Sequence, residues 1–219
     1  MLNFAHGDVI MVGGFIVYYT VSMSGLPEWL GIIFSVIGCT VLGVVIERLA
    51  YRPLRGATPL AVLITAIGVS YLLQNLALLI FKADTKSFQS VVHLPAIKIG
   101  SGELTITGET IVTIAACIII MIFLTLFVNK TKPGRAMLAV SEDRGAAQLM
   151  GVNVNGTIAL TFAIGSGLAA IAGVLLCSAY PTLTPYTGAM PGIKAFVAAV
   201  FGGIGSVSYT HLRAHETEA

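Results

Sequence analysis

The chain has 219 residues, of which 56% are hydrophobic and 10% are charged, and its mean hydropathy is +0.92. Soluble domains carry about 25% charged residues, so this composition excludes a conventional soluble domain and predicts a polytopic membrane protein. The formal net charge of +2 is too small to indicate a nucleic-acid partner.

The reactive side chains do not form a recognisable catalytic or metal-binding pattern. Cys39, Cys117 and Cys177 are isolated in apolar stretches, which favours small buried hydrophobic residues over disulfides or metal ligands. The sequence contains no GxxxxGK[ST] phosphate loop, no HExxH and no GxSxG motif. We therefore expect a protein that is not an enzyme, has no cofactor or metal, and hydrolyses no ATP itself.

Six apolar stretches are candidates for membrane spans, since a spanning helix needs about 20 apolar residues. They are residues 9–24, 29–46, 59–81, 110–128, 156–180 and 189–206. The predicted fold class is an all-α polytopic membrane protein with about six transmembrane or half-membrane helices. Within the fifth stretch, Gly165, Ala169 and Gly173 recur every four residues and predict tight helix packing.

The orientation follows from the lysines and arginines, which concentrate on the cytoplasmic side of membrane proteins. If residues 48–58 and 129–155 are cytoplasmic, seven basic residues lie inside and three outside. The inside set is Arg48, Arg52, Arg55, Lys130, Lys132, Arg135 and Arg144, and the outside set is Lys82, Lys86 and Lys98.

Polar residues at the start of the first stretch indicate a candidate substrate site. Asn3, His6 and Asp8 lie there, and Gly7 is expected to break the helix. Broken helices with polar ends commonly mark substrate sites in transporters. The equal alternative is that His6 and Asp8 cap a helix at the membrane surface.

The third stretch carries two amides, Gln74 and Asn75, and Ser70 shares a helix face with Gln74. Polar residues within spans usually face the bundle interior. Interhelical hydrogen bonding is the favoured role, and lining of a substrate pathway is the alternative.

The external segment, residues 82–109, is predicted to hold a small β-hairpin. Residues 91–94, 97–99 and 103–106 have strand character, and Gly100-Ser101-Gly102 provides a turn. The hairpin would either meet an extracytoplasmic partner or serve as a solvated connector.

The cytoplasmic segment, residues 129–155, is predicted to present a short helix. Pro133-Gly134 marks a turn, and Ser141 is expected to cap a helix that ends at Gly151. Glu142 and Asp143 suit its positive first turn, and one face is apolar. That face carries Ala146, Leu149 and Met150. Because so short a helix is marginal in water, it needs a surface to pack on, either the membrane or another subunit.

An ordered set of motifs resembles the permease subunit of bacterial branched-chain amino-acid ABC importers, of the high-affinity leucine/isoleucine/valine type. Urea and short-chain amide permeases are similar in the same segments. The motifs are LNFAHGDVIMVGG near the start, ERLAYRPLRG at 47–56, TPLAVLITAIGVSYLLQNLALLIF at 58–81, GRAMLAVSEDRGAAQLMGVNV at 134–154 and IKAFVAAVFGGIGS at 193–206.

The resemblance implies a multi-pass permease of the bacterial inner membrane. Its implied partners are a second related permease, two cytoplasmic ATPase subunits and a periplasmic substrate-binding protein. It also implies that the cytoplasmic segment docks the ATPases. The residues implied in this coupling are Gly134, Arg135, Glu142, Asp143, Ala146, Ala147 and Gly151.

Members of this family have further spans before and after the matching region. We therefore expect residues 1–206 to be a permease domain that is incomplete at both ends. The abrupt polar shift at 207–219 indicates a non-native tail.

The expected function is import of a branched-chain or related amino acid, with urea or short-chain amides as the alternative substrates. A secondary transporter or channel is the alternative class. It would be expected to carry buried carboxylates for ion coupling, and Asp8 is the sole candidate.

Overall fold

The computed structural model describes residues 4–92, 95–99 and 104–201. These ranges contain eight helices and four short strands. In chain order they are α1 His6–Tyr18, α2 Glu28–Ile46, α3 Pro59–Phe81, β1 Lys86–Ser87, β2 Ile97–Ile99, β3 Leu104–Ile106, α4 Gly108–Lys130, α5 Lys132–Glu142, α6 Arg144–Leu149, α7 Val154–Ala179, β4 Thr182–Leu183 and α8 Ala189–Phe201. Two π-helical turns, Tyr19–Met23 and Glu47–Tyr51, directly extend α1 and α2.

Four helical segments in the described ranges are long and apolar enough to cross a membrane. They are Glu28–Tyr51, Leu60–Phe81, Gly108–Lys130 and Val154–Ala179. These correspond to four of the six predicted stretches, and the predicted all-α polytopic class is confirmed. The first stretch forms most of α1 and its π-helical turn. The first part of the sixth stretch forms α8, which has 13 described residues. The end of the sixth stretch and the predicted tail at 207–219 lie outside the described residues.

Local sequence explains where the third helix begins and ends. The Thr58 hydroxyl accepts a hydrogen bond from the backbone N–H of Ala61 at 3.4 Å, and Pro59 occupies the first turn. Proline suits this position because its missing N–H has no helical partner there and its φ is already helical. At the other end Lys82 adopts a φ of 65°, which stops the helix.

Helix α1 lies at the centre of the bundle, packed between α2 and α7 and contacted by α3 and α8. Small residues permit this close packing. On α2 the buried face repeats every four residues through Gly31, Ser35, Cys39 and Gly43. The Ser35 hydroxyl donates to the Gly13 carbonyl at 2.9 Å, so part of this face is also hydrogen-bonded to α1.

The predicted close packing of the fifth stretch is confirmed. Ala169 and Gly173 are buried on α7, and Gly173 lies directly against the Ile10 carbonyl of α1. A Cβ on Gly13 would lie 2.9 Å from the Ala170 Cα. Apolar burial cannot by itself drive helix association in lipid, so such backbone approach is an important source of contact energy.

The predicted hairpin is confirmed in part. Strand β2 pairs antiparallel with β3, with Ile97 opposite Ile106 and Ile99 opposite Leu104. The predicted strand at 91–94 is wrong where the structure describes it, because Val91 and Val92 are not in a strand; the rest of that strand and the turn lie outside the described residues. Instead, the Val91 N–H donates to the Ser178 hydroxyl of α7 at 3.4 Å.

A second strand pair joins the same segment to the end of α7. Strand β1 runs antiparallel to β4, with Lys86 opposite Leu183 and Ser87 opposite Thr182. The Phe88 N–H extends the contact by donating to the Pro181 carbonyl at 3.0 Å. This pair was not predicted, since two-residue strands have no readable periodicity.

The interpretation of all three cysteines as buried residues is correct for two of them. Cys39 and Cys177 are buried, whereas Cys117 is exposed on α4. Helix α4 is apolar around its whole circumference, and Gly108 is its one buried residue. An apolar position on such a helix therefore does not indicate burial against the rest of the chain.

Candidate functional site

A polar cluster joins the start of α1 to the middle of α3. Asp8 is 2% exposed, and its carboxylate accepts hydrogen bonds from the Ser70 hydroxyl and, at 2.9 Å, from the Gln74 amide. The Gln74 amide also lies 3.3 Å from the Ser70 hydroxyl. The interhelical hydrogen bond predicted for Gln74 is therefore present, and two polar features far apart in sequence form one cluster.

The buried charge of Asp8 is held by neutral donors. Among the described residues, no lysine, arginine or histidine forms an ion pair with this carboxylate. A carboxylate within a membrane bundle is costly unless it is paired or hydrogen-bonded, and such residues usually mark functional positions. The cluster is thus a stronger candidate for function than for simple helix adhesion.

A cavity of about 300 Å³ lies beside the cluster, between the start of α1, α3 and α8. Its polar wall contains Asp8, Ser70 and Gln74, and Phe4 and Ile193 contribute apolar surface. The volume lies at the lower end of the range for small-molecule sites, about 300–1,000 Å³. The arrangement suits a small ligand that combines a polar group with an aliphatic one.

The predicted break at Gly7 is wrong, because α1 begins at His6 and runs through this glycine. Gly7 serves a different purpose. A Cβ at this position would overlap the Gly188 carbonyl and would lie 2.9 Å from the Gly192 Cα. Glycine therefore lets the first turn of α1 approach α8 and close one wall of the cavity.

The other predicted pathway residues do not all join this site. His6 is half-buried and lies on the side of α1 near Gly165, 4.0 Å from the position a Cβ would take there. Asn75 is exposed, and its amide donates to the Tyr71 carbonyl of its own helix at 2.7 Å. Asn3 lies outside the described residues. The capping alternative also fails, since the first turn of α1 has no side-chain cap.

The segment at 129–155, predicted to be cytoplasmic, forms two helices where one was predicted. Pro133 and Gly134 do not form a turn before the helix but lie in the first turn of α5, where the Thr131 hydroxyl accepts from the Gly134 N–H at 3.1 Å. Ser141 lies inside α5, and its hydroxyl donates to the Leu138 carbonyl. The predicted cap at Ser141 is therefore wrong, because the residues before it already form a helix.

Asp143 caps α6 instead. Its carboxylate accepts from the N–H groups of Gly145 at 2.7 Å and Ala146 at 3.1 Å, and a carboxylate there also interacts favourably with the helix dipole. Gly151 follows α6 with a φ of 81°, the left-handed conformation in which glycine commonly ends a helix. The predicted helix end is thus confirmed, and the helix is shorter than expected.

The side chains of α6 and of Met150, which follows it, face in two directions. Ala147 is buried within the chain, whereas Leu149 and Met150 are 91% and 84% exposed. Of the residues predicted to couple to the ATPases, Arg135, Glu142, Asp143 and Ala146 are exposed too, and Gly134 is buried. The two large apolar side chains form the part of this segment best placed to bind another molecule.

Sequence reasoning missed a contact between Glu47, Arg55 and Asn155, in which the Arg55 guanidinium donates to both other side chains. One signal for it was readable. Glu47 continues the four-residue repeat of the small buried face of α2, so a carboxylate stands where burial is expected and requires a partner.

Comparison with known protein sequences places this chain in a family. The profile of the family described as the branched-chain amino acid transport system permease component matches residues 1–212. The high-affinity branched-chain amino acid transport system permease protein BraD of Pseudomonas aeruginosa is 42% identical over 220 residues, which cover 94% of this chain and 71% of BraD. LivH of Escherichia coli K12, with the same description, is 41% identical over 223 residues, covering 94% of this chain and 70% of LivH.

A more distant relative matches over a similar share of the chain. The probable branched-chain amino acid transport permease protein LivH of Methanocaldococcus jannaschii is 28% identical over 214 residues, or 94% of this chain and 66% of that protein. No solved structure matches the chain. The resemblance seen in the motifs is confirmed over nearly the whole chain: this multi-pass membrane protein belongs to the branched-chain amino acid transport system permease family.

Proposed function

We propose that the chain is the membrane-spanning permease subunit of an ATP-driven importer for branched-chain or related amino acids in a bacterial inner membrane. The observation that carries this proposal is the 41–42% identity to BraD and LivH over 94% of the chain. Those relatives are high-affinity branched-chain amino acid permeases by name. Because the chain has no phosphate loop of its own, ATP would be hydrolysed on partner subunits.

The substrate would pass through the cavity between α1, α3 and α8. The Asp8 carboxylate offers acceptor oxygens to the N–H groups of a substrate, and Ser70 and Gln74 hold it in position. The apolar wall at Ile67 and Ile193 suits an aliphatic side chain. Gly7 sets the width of the cavity by admitting α8 close to α1.

The energy input would reach the chain through α6. Two cytoplasmic ATPase subunits are the proposed partners, one of them bound to this chain and the other to a second related permease. Leu149 and Met150 supply exposed apolar anchors of the kind that dominate the energetics of interfaces. Gly134, Arg135, Glu142, Asp143 and Ala146 would surround or position these anchors, and buried Ala147 would hold α6 to the permease.

On the opposite side of the membrane, the strand pairs would face a periplasmic substrate-binding protein. The β1–β4 pair connects residues 86–87 directly to the end of α7. A binding protein that pressed on these strands would therefore act on a segment joined to α7, the helix that packs on α1.

Reconstitution tests the proposal. The importer, assembled from this permease, its second permease, the ATPases and the binding protein, is placed in proteoliposomes, and uptake of radiolabelled leucine and urea is measured. Leucine uptake that requires both ATP and the binding protein is expected. Uptake that proceeds without ATP and follows an ion gradient would contradict the proposal and would favour a secondary transporter. Uptake of urea alone would assign the other substrate class.

A further inference from the structure

The π-helical turn that extends α2 begins with Glu47, which forms an ion pair with the half-buried Arg55. Glu47 is 1% exposed, and its carboxylate accepts from the Arg55 guanidinium. The carboxylate lies on the face that carries Gly31, Ser35 and Gly43, and this face packs on α1 and α7. The pair is therefore attached to the most closely packed part of the bundle.

The same guanidinium also contacts α7. A second terminal nitrogen of Arg55 donates to the Asn155 side-chain oxygen, and Asn155 lies in the first turn of α7. Asn153 fixes that turn, because its side chain accepts from the Gly156 N–H at 3.0 Å. One planar side chain thus connects the end of α2 to the beginning of α7.

The backbone of Arg55 also lies next to α6. The Arg144 guanidinium, in the first turn of α6, is 3.5 Å from the Arg55 carbonyl oxygen. Helix α6 additionally contacts α7 directly. Arg55 therefore stands where the proposed docking helix meets the two helices that enclose α1.

We propose that Arg55 is a positioning residue that holds α2, α7 and α6 as one unit, so that displacement of α6 by an ATPase moves the helices around α1. This inference rests on the proposed function, since it requires that α6 binds the ATPase. Coupling between distant sites depends on connected elements that move together. Contacts from α2 and α7 reach α1, and α1 carries Asp8 at the cavity, so the connected elements extend from the cytoplasm to the proposed pathway.

The chemistry of arginine suits this role better than that of lysine. A guanidinium presents several N–H groups in a rigid plane, so it binds two acceptors in different directions at once. A lysine ammonium would keep the charge opposite Glu47 without the fixed geometry toward Asn155. Arg55→Lys therefore separates the ion pair from the connection between helices.

The experiment uses the complete importer in proteoliposomes and measures leucine taken up per ATP hydrolysed. The variants are Arg55→Gln, Arg55→Lys and Asn155→Leu, and the matched control is Arg52→Gln, an exposed arginine of the same loop. For all three variants we expect normal co-purification of the ATPases and a ratio lowered about threefold to tenfold. The control should keep the ratio of the unmodified importer.

Reduced folding alone would lower the amount of importer but not this ratio. If Arg55→Gln fails to accumulate because Glu47 is left as an unpaired buried charge, the double variant Glu47→Gln/Arg55→Gln removes both charges and is measured in its place. An unchanged ratio in an assembled variant, or complete rescue by Arg55→Lys, would overturn the inference. Failure of the ATPases to bind the unmodified permease would instead overturn the proposed function.

Discussion

The central helix α1 and the short helix α6 differ in how much of their surface the chain itself covers. In α1, nine of thirteen residues are buried, including a charged one. In α6, Ala147 is the one buried residue, while Leu149 and the adjacent Met150 extend into the surroundings. The side chains of α1 are thus mostly covered by the rest of the described chain, whereas the large apolar side chains at the end of α6 are not.

This difference shows which surfaces serve the fold and which serve binding. Small residues around α1 bring backbones together, and a cavity of about 300 Å³ remains beside the polar cluster of Asp8. Leu149 of α6 and the adjacent Met150 are large apolar side chains that remain exposed, and exposed apolar patches commonly mark interaction sites. Predictions on α1 therefore concern stability and transport, and predictions on α6 concern binding.

The largest effect is expected at Gly7. Gly7→Val places side-chain atoms where the Gly188 carbonyl lies, so α1 and α8 must separate, at a cost of several kcal/mol, on the order of 2–4. Folded protein recovered in detergent should fall sharply. Gly68→Ala is the matched control, because nothing lies within 4 Å of a Cβ there. Equal recovery of both variants would show that the contact between α1 and α8 does not determine the packing.

A large effect on transport is expected at Asp8. Asp8→Leu removes the buried carboxylate and leaves the Ser70 and Gln74 donors without their acceptor. Leucine uptake should fall more than tenfold, because a buried donor or acceptor that loses its partner costs about 1–3 kcal/mol, or more for a charged group. Uptake is measured at matched permease levels, and Asn75→Leu, an exposed position on α3, should leave it within about twofold. Normal uptake by Asp8→Leu would show that the cluster only holds α1 and α3 together and has no role in transport.

A binding effect is expected on α6. The double change Leu149→Glu/Met150→Glu puts charges on the two exposed anchors, and affinity for the ATPase should fall by at least tenfold, since truncating interface anchors costs about 2 kcal/mol or more. Co-purification and titration with the isolated ATPase subunit measure the change. Ala139→Glu adds a charge to an exposed position of α5 and is the control. Retained binding in the double variant would place the ATPase elsewhere.

Much of the bundle could be predicted from the sequence, because membrane spans are set by length and hydropathy. The repeat of Gly165, Ala169 and Gly173 also predicted close packing, since spacing alone fixes which residues share a helix face. Spacing does not show which other helix a given helix face packs against. Nothing in the sequence near Asp8 indicates that Ser70 and Gln74 are its neighbours, because that contact depends on how α1 and α3 are placed in three dimensions.

Local chemistry misled the prediction where two signals competed. Ser141 and Asp143 are both acceptable caps, and Pro133-Gly134 reads equally as a turn or as a first helical turn. Pro133 and Gly134 form the first turn of α5 because Thr131 caps that helix. Ser141 is not a cap because helix-forming residues from Ala136 onward extend α5 through it, so Asp143 caps the next helix.

The smallest expected effect tests that assignment of the cap. Asp143→Ala removes the acceptor for the Gly145 and Ala146 N–H groups, and such a loss costs about 0.5–2 kcal/mol of local helix stability. Hydrogen exchange at these two amides should accelerate several-fold, while Ser141→Ala should leave it unchanged. Because α6 is six residues long, it has little stability of its own without the cap. Weakened ATPase binding by Asp143→Ala, with Leu149 and Met150 intact, would then show that the anchors act only when the helix presents them; equal exchange in both variants would contradict the cap.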